Sequence, residues 1–401
     1  MTAMKKSSVL PLSLIVAALA TLAPFTIDTY LPSFPDIGSD LSASHAQMQL
    51  TLSLYLFASA AATLIYGPLS DGFGRRRVIM AALAIYVLAS IGCALAESIE
   101  QLIVLRIGQG LSASAGMVIG RAMIRDVYHG PEAQRVMARV MLLFSIAPAV
   151  APIIGGLLHD LLGWHSVFIF LSLVAALLLL MVWLGTEETL AADKRHSIHP
   201  LAIARAYGMA LRHRHYLTLV FSFAMMFSGF FIYIAGAPKV IYEFLGLGAN
   251  DFWVMFVPMV AAIMIGSQLS GWLAGRLSPR QTVRLGFSAM MLASLCNILQ
   301  SLLLAPSTLV VIAPLPLYVL GMAMSMPIIS LMALDCFPRN RGMASAMQSF
   351  VQMAFTSFVV GAVVPLVVET LPGMALTTFV LGGLGTLLWA ISQGLSHAEH
   401  A

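Results

Sequence analysis

The sequence predicts an all-α polytopic membrane protein with twelve transmembrane helices, and three observations lead to this prediction. Of the 401 residues, 60% are hydrophobic and only 9% are charged. A soluble domain carries about 25% charged residues, so most of this surface must face lipid. The apolar residues fall in runs close to the roughly 20 residues that cross a bilayer. These runs are apolar on every side, whereas the strands of a transmembrane barrel alternate in polarity.

Twelve apolar runs are taken as predicted spans 1 to 12. They occupy about residues 11–31, 48–70, 78–96, 101–124, 136–158, 164–186, 216–238, 252–274, 283–304, 308–332, 343–368 and 373–395. Lys5 and Lys6 precede the first run as in a signal peptide. That run is longer than an ordinary signal core and further spans follow, so we predict an uncleaved first span.

The longest polar segment, residues 187–215, divides the runs into two sets of six. We predict two pseudo-symmetric six-helix halves, 1–186 and 216–401, joined by this segment as a linker. The sequence GPLSDGFGRRRVI from Gly67 has a weak counterpart, GWLAGRLSPRQTV, from Gly271. Transporters are commonly built from such paired repeats around a site at the membrane midplane.

The lysines and arginines predict the orientation. With alternate loops counted as cytoplasmic, 19 of the 21 Lys and Arg residues lie on one side. Cytoplasmic loops carry the excess of positive charge, so both termini are predicted to be cytoplasmic in a multi-pass protein of the bacterial inner membrane. The basic residues occupy short loops rather than one stripe, so no nucleic-acid partner is expected.

Metal binding and catalysis are not expected. Cys93, Cys296 and Cys336 form no spaced set, and the histidines lie mostly in loops. An intramembrane enzyme needs a nucleophile with a base, or paired metal ligands, at membrane depth. The apolar runs contain no such pair, so we predict no enzyme, no metal and no cofactor.

The loop after predicted span 2 carries an acid, glycines and three arginines. Asp71 lies at the membrane boundary and is followed by Gly74 and Arg75. The tendency of cytoplasmic loops to be basic explains the arginines, but it explains neither Asp71 nor the glycine spacing. We interpret the loop as a compact cluster of charges at the membrane boundary after predicted span 2.

Asp28 in predicted span 1 and Arg106 in predicted span 4 are charged residues inside apolar runs. An isolated cation in a span costs at least about 2.5–3.5 kcal/mol, so Arg106 is a functional candidate. Alternatively, Arg106 snorkels to the nearby outer interface and Asp28 merely reaches the headgroups. By the helical rise both lie at similar depth, so they face each other or face one cavity.

Three further groups of residues are candidates for the transport path. Pro148, Pro152, Gly155 and Gly156 in SIAPAVAPIIGG bend predicted span 5 or allow close helix contact, or else form a kink without functional meaning. Gln109 lies one turn after Arg106. A possible pocket, which packing or lipid contact would equally explain, comprises Tyr30, Tyr55, Phe227, Phe231, Tyr233, Gln348 and Gln352.

The strings IDTYLPSFPDI, YGPLSDGFGRRR, LIVLRIGQG, RDVY and APIIGG together resemble the major facilitator superfamily. They closely resemble its bicyclomycin- and chloramphenicol-resistance (Bcr/CflA) subfamily of drug:proton antiporters. Gly72 departs from the usual basic residue of the loop signature, and Ala151 replaces the usual glycine before Pro152. The resemblance implies that Asp71 and Arg75 latch the cytoplasmic side, with Asp126 of RDVY as the third member.

This resemblance implies alternating-access export of small amphipathic or lipophilic drugs in exchange for protons. Asp28, Arg106 and Gln109 are then the proton and substrate coupling residues, and the proton gradient is the energy source. The implied partners are a small-molecule substrate, protons and the lipid bilayer, with the chain acting as a monomer. The alternative is a proton-coupled transporter of a metabolite such as a sugar or an amino acid.

Overall fold

The computed structural model describes residues 12–191, 193, 195, 205, 207–338 and 340–398. In this part of the chain the structure is helical without any strand, and Ala274 and Leu277 form one isolated bridge. Lys5, Lys6 and much of the predicted linker 187–215 lie outside the described residues.

Twelve helical segments of the described chain are long and apolar enough to cross a membrane, as predicted. Spans 1 to 12 are Leu12–Asp40, His45–Phe73, Arg75–Ala94, Ile99–Val127, Arg135–Leu162, His165–Gly185, Arg214–Ala235, Ala249–Leu273, Pro279–Leu303, Thr308–Asp335, Arg341–Val367 and Leu371–Leu395. Each coincides with one predicted run.

Several spans contain breaks or non-α turns. Span 4 consists of two α-helices, Ile99–Ala113 and Ala115–Val127. Span 5 is the greater part of one α-helix, Gly130–Leu162, which has two prolines in its interior. In the second half, the π turn Lys239–Phe244 follows span 7, and the 3₁₀ turn Ala249–Asp251 precedes the helix Trp253–Leu273 of span 8. Span 10 consists of the helices Thr308–Ile312 and Pro314–Asp335. Span 11 consists of the helix Arg341–Phe358, the π turn Val359–Val363 and the helix Val364–Val367, and the last helix is Leu371–Ala398.

Span 1 extends beyond its predicted end near residue 31. Its first α-helix, Leu12–Asp28, ends at the acidic residue, a 3₁₀ turn follows at Leu31–Ser33, and a second helix, Phe34–Asp40, completes the span. Proline 32 removes a backbone donor and signals a helix end, but proline is tolerated in the first turn of a new helix. Asp28 therefore lies in the interior of span 1 and not near its end.

The packing pairs repeat between the two sets of six spans. Spans 2 and 4, 1 and 5, 3 and 6, and 3 and 4 pack together, and so do their counterparts 8 and 10, 7 and 11, 9 and 12, and 9 and 10. Across the two sets, span 2 packs on span 11 and span 5 packs on span 8. This is the pseudo-symmetry predicted from the sequence.

Large apolar side chains cover the outward surface. Leu88, Leu309 and Leu366 are 69%, 77% and 79% exposed, while buried serines, threonines and amides lie between the spans. A soluble monomer rarely exposes so much contiguous apolar surface, so lipid is the solvent of these faces. The chain is a multi-pass membrane protein.

The two membrane faces differ in how the halves meet. We call the face at which span 1 begins the terminal face, and the opposite one the distal face. Four hydrogen bonds between the halves lie toward the distal face: Gln49 Nε2 to the Ala235 carbonyl at 3.1 Å, Tyr242 Oη to the Pro32 carbonyl at 2.7 Å, Ser357 Oγ to the Ser53 carbonyl at 2.6 Å, and Asn250 Nδ2 to Asp160. These bonds join the two halves to each other toward the distal face.

Candidate functional site

Arg106 is fully buried inside the first six spans, between two tyrosine rings. Its guanidinium carbon lies 4.5 Å from the ring centroid of Tyr30 and 4.5 Å from that of Tyr55. Its Nη1 donates to Gln109 Oε1 at 3.0 Å, while Nε and Nη2 have no hydrogen-bond partner among the described residues. We call these four residues the Arg106 cage. The ring faces compensate part of the charge.

The tyrosines of the cage are fixed by their own hydroxyls. Tyr30 Oη lies 2.8 Å from Thr51 Oγ1, and Tyr55 Oη donates to the Ala23 carbonyl at 3.0 Å. Both were predicted to line a pocket. The structure instead buries them against Arg106, so they hold the cation in place.

Two sets of hydrogen bonds lie between the cage and span 1, and Tyr86 belongs to both through different atoms. Gln109 Nε2 donates to Ser90 Oγ at 2.8 Å, and Ser90 Oγ donates to the Tyr86 carbonyl at 2.8 Å. The Tyr86 hydroxyl lies 2.5 Å from Thr26 Oγ1, two residues before Asp28. Sequence reasoning missed Ser90, Tyr86 and Thr26, because hydroxyl residues inside apolar helices carry no distinct pattern.

Asp28 is 5% exposed and lies at the end of the first α-helix of span 1. Among the described residues no ion pair joins Asp28 to Arg106 within 4.0 Å. Of the two predicted arrangements, direct pairing is thus not observed.

On the terminal face, Arg75 is the centre of a cluster of charges. Its Nη2 lies 2.5 Å from Asp71 Oδ1, its Nε donates to Asp126 Oδ2 at 3.2 Å, and its Nη1 donates to Ser70 Oγ at 2.6 Å. Arg75 is 7% exposed. Spans 2, 3 and 4 supply these groups, so the residues predicted for the gate do come together, within the first half.

Glu188, just after span 6, completes this terminal cluster. Its Oε1 accepts from the backbone N–H of Arg75 at 2.8 Å and its Oε2 from that of Arg76 at 3.3 Å. A carboxylate is favourable at a helix N-terminus, where the N–H groups lack partners. Sequence reasoning assigned Glu188 only to the polar linker.

Gly74 permits this contact. Its φ is +98°, a region that side chains disfavour. A Cβ at this position would also meet the Glu188 carboxylate. The approach of Glu188 to the start of span 3 therefore explains the glycine at position 74, which the basic charge of the loop alone did not explain.

Gly155 and Gly156 form two different contacts of span 5. A Cβ on Gly155 would meet the backbone carbonyl of Thr29 in span 1, and a Cβ on Gly156 would meet that of Ala249 in the second half. Pro148 and Pro152 lie inside the same α-helix. Span 5 is thereby packed at one level on both the residue after Asp28 and the opposite half.

The other predicted pocket residues lie in three separate places. Phe227 and Phe231 pack with Phe230 on span 7, with ring centroids 5.1–6.0 Å apart. Tyr233 Oη accepts from Asn297 Nδ2 at 2.6 Å. On span 11, Gln348 Oε1 accepts from Ser330 Oγ at 3.2 Å, and Gln352 is half-buried. In the described part of the chain, these side chains do not lie together with the Arg106 cage.

A cavity of about 560 Å³ opens on the distal face between the halves. Its charged and titratable lining residues are Asp36, His45, His159, Asp160, Lys239, Tyr242 and Glu243. We call it the distal vestibule. Burial raises the pKa of Tyr242, and the charges of Asp160 and Asp36 add to this, so its hydroxyl is a neutral donor.

Lys239 and Glu369 form an ion pair beside the vestibule. Burial alone lowers the pKa of Lys239, but its hydrogen bonds to Glu369 and Glu243 outweigh this and raise the pKa above its usual value. The hydrogen bond from Lys239 lowers the pKa of Glu369, against a smaller opposing effect of burial. Glu243 Oε2 lies 3.3 Å from Lys239 Nζ as well.

Comparisons with known proteins identify relatives along most of the chain. YdgK of Bacillus subtilis (strain 168), an uncharacterized MFS-type transporter, is 32% identical over 352 residues, 87% of each chain. A bicyclomycin resistance protein homolog of Haemophilus influenzae is 28% identical, covering 88% of this chain and 87% of that protein. A chloramphenicol resistance protein of Pseudomonas aeruginosa is 27% identical, covering 83% and 79%. The resemblance drawn from the motifs is confirmed.

The solved structures agree on the fold. The D-xylose-proton symporter superposes with a TM-score of 0.74 at 14% identity, over 95% of this chain and 96% of that chain. The family model of the Major Facilitator Superfamily matches residues 16–360. Members of this family are transporters and not enzymes. The chain belongs to the major facilitator superfamily and is a multi-pass transporter of small molecules.

Proposed function

We propose that this transporter exports small amphipathic or lipophilic compounds across the bacterial inner membrane in exchange for protons. The observation that carries the proposal is a buried cation, Arg106, in the same half as a buried carboxyl, Asp28. Two nitrogens of Arg106 have no hydrogen-bond partner in the part of the chain that the structure describes. Charges at such depth are costly and are typical of substrate and proton pathways. The names of relatives, bicyclomycin and chloramphenicol resistance, support the substrate class.

Asp28 is the proposed site of proton exchange, and Arg106 and Gln109 set its environment. A cationic or dipolar compound that enters from the cytoplasm favours the ionised carboxylate and displaces its proton. Release of the compound on the other side then lets a proton return. The proton gradient is the energy source, and one site couples both fluxes.

The terminal cluster is the proposed cytoplasmic gate. The distribution of Lys and Arg makes the terminal face the cytoplasmic one, with both termini inside. Hydrogen bonds join the halves toward the distal face, whereas the charges of the terminal cluster belong to the first half and to Glu188. Closing the terminal face against the second half would complete the alternating-access cycle of a monomer.

The test is expression in a host that lacks its own drug exporters. We expect raised tolerance to chloramphenicol or bicyclomycin, and drug-dependent proton release in everted membrane vesicles. Asp28→Asn should abolish both, whereas Glu97→Gln, a change at an exposed acid, should preserve them. Proton movement driven by a sugar or an amino acid, with none driven by drugs, would instead identify a metabolite transporter.

A further inference from the structure

The break in span 1, residues 29–33, separates the two α-helices of the span. Thr29, Tyr30, Leu31 and Ser33 are all fully buried. Tight turns replace the α ladder: the N–H of Tyr30 donates to the Ile27 carbonyl, and that of Ser33 donates to the Tyr30 carbonyl. A stretch of 3₁₀ helix inside a longer helix often marks a hinge.

One end of the span 1 break is attached to the buried charges. Asp28 directly precedes it, and the ring of Tyr30, inside it, lies on the guanidinium of Arg106 at 4.5 Å. The ring of Tyr55 lies 4.5 Å from the same guanidinium. The break is thus joined through Tyr30 to Arg106 and along the chain to Asp28, the groups proposed for proton exchange.

The other end is attached to the second half at the distal face. The Tyr242 hydroxyl donates to the carbonyl of Pro32 at 2.7 Å, and the Tyr242 ring packs on Phe252 with centroids 5.8 Å apart. Gly155 of span 5 packs on the Thr29 carbonyl, while its neighbour Gly156 packs on Ala249 of the second half. The break therefore touches the opposite half directly through one hydrogen bond and indirectly through span 5.

We propose that the span 1 break couples Asp28 to the distal gate, and that Tyr242 is the positioning residue that joins the break to the second half. This rests on the proposed role of Asp28 as the proton site. When the break is positioned so that the Pro32 carbonyl accepts from Tyr242, the distal face is held closed. When the break shifts and this hydrogen bond is lost, the distal face opens. The titratable groups on the elements around the break include Tyr30, Asp36, Asp40, Tyr55, Tyr86, Cys93, Arg106, His159, Asp160, Lys239, Tyr242 and Glu243.

The reporter is a single cysteine at the distal interface. Ser53 is 3% exposed, its carbonyl accepts from Ser357, and Gly361 covers its hydroxyl. In full-length protein whose three native cysteines are replaced, Ser53→Cys should react with a membrane-impermeant maleimide only when the distal face opens. The rate of labelling measures that opening without any substrate.

Tyr242→Phe should raise the labelling rate about fivefold, because one hydrogen bond between the halves is lost. The matched control is Tyr216→Phe, which removes a hydroxyl that donates to the Ala344 carbonyl within the second half. The control should label at the parental rate. An unchanged rate in Tyr242→Phe, or an equal rise in Tyr216→Phe, would overturn the role of Tyr242.

A double-mutant cycle tests the coupling itself. Asp28→Asn should change the labelling rate when Tyr242 is present and have little effect in the Tyr242→Phe background, since coupled residues are not additive. Equal effects in both backgrounds, or none in either, would contradict the proposal. If gel filtration shows that Tyr242→Phe does not fold, Gly155→Ala, which displaces span 5 from Thr29, replaces it in the cycle with the same expectation.

Failure of this inference differs from failure of the proposed function. The labelling cycle uses no drug, whereas tolerance and proton release in vesicles depend on the drug. If the protein exports drugs but the two substitutions affect labelling additively, only the coupling role of the break is rejected. If the substitutions are coupled but the protein confers no drug tolerance, only the export of drugs is rejected.

Discussion

The two halves carry equivalent buried sites that differ in charge. In the first half, spans 1, 2, 3 and 4 supply the surroundings of Arg106, which is hydrogen bonded to Gln109 and through it to Ser90. In the second half, the counterpart spans 7, 9 and 10 enclose Tyr233 and Asn297, joined by a neutral hydrogen bond of 2.6 Å, with Tyr318 Oη donating to the Met226 carbonyl at 2.9 Å.

The loops that follow spans 2 and 8 differ in the same way. Asp71 in the first corresponds to Gly275 in the second, so the second repeat has no carboxylate to pair with its arginines at this position. Its Arg276 lies 3.8 Å from the ring of Trp272 instead. The framework is shared by both halves, but buried or half-buried ionic chemistry is concentrated in the first. We infer that the first half performs the coupling and the second half supports it.

Arg106→Ala should have the largest effect, a fall in transport of about a hundredfold, because two desolvated cation–π contacts of about 1–2 kcal/mol each are lost. Arg106→Lys should retain part of the activity, since an ammonium keeps the charge but not the planar donors. Transport is measured at matched expression. Equal activity of the two variants would mean that Arg106 only anchors span 4.

Asp71→Asn should lower transport about tenfold while leaving insertion intact, because the buried Arg75 loses one of its two carboxylate side-chain partners. The matched control lies in the second half: Asp335→Asn removes an exposed partner of Arg341, and exposed pairs contribute little. Export assays on both variants, with expression checked by blotting, compare the halves. Near-normal rates in Asp71→Asn would remove the gate role.

Gln109→Leu and Asn297→Leu compare the buried amides of the two sites. Each leaves a buried polar group without its partner, which costs about 1–3 kcal/mol of stability. Thermal unfolding in detergent should therefore show similar losses. Drug-dependent proton release should fall only in Gln109→Leu, and a similar fall in Asn297→Leu would contradict the assignment of coupling to the first half.

The Lys239–Glu369 pair at the distal edge of the second half should give the smallest effect. The lowered pKa of Glu369 means that its contribution is present above the usual value of 4.5 and is lost as the pH falls through the folded pKa. The raised pKa of Lys239 means that its contribution persists up to the usual value of 10.5 and is lost as the pH rises through the folded pKa. In unfolding measured between pH 3 and 6, Glu369→Gln should flatten the acid-side loss slightly, since exposed pairs are worth at most about 1 kcal/mol. A steeper loss in the variant would contradict this.

The spans were predictable from the sequence because lipid imposes one length and one composition on every crossing segment. The continuation of span 1 to Asp40 was not predictable, because Pro32 indicates the end of a helix. The local sequence does not reveal that a new helix begins directly afterwards. Glu188 and Tyr242 were likewise missed. Each acts on a backbone group far away in sequence, and only the packing of spans brings them together.

The contact of Glu188 with the start of span 3 determines where the chain can be divided. The carboxylate that caps Arg75 and Arg76 belongs to Glu188, so a first fragment that ends beyond Leu190 keeps Glu188 with the groups of spans 2, 3 and 4 in the terminal cluster. Arg195, whose Nη2 lies 3.9 Å from Glu188 Oε2, then falls in the second fragment. Co-expressed fragments split after residue 191 should therefore reassemble into an active transporter. If the chain is split before residue 187, Glu188 lies on the second fragment, and the gate would have to form from two separate chains.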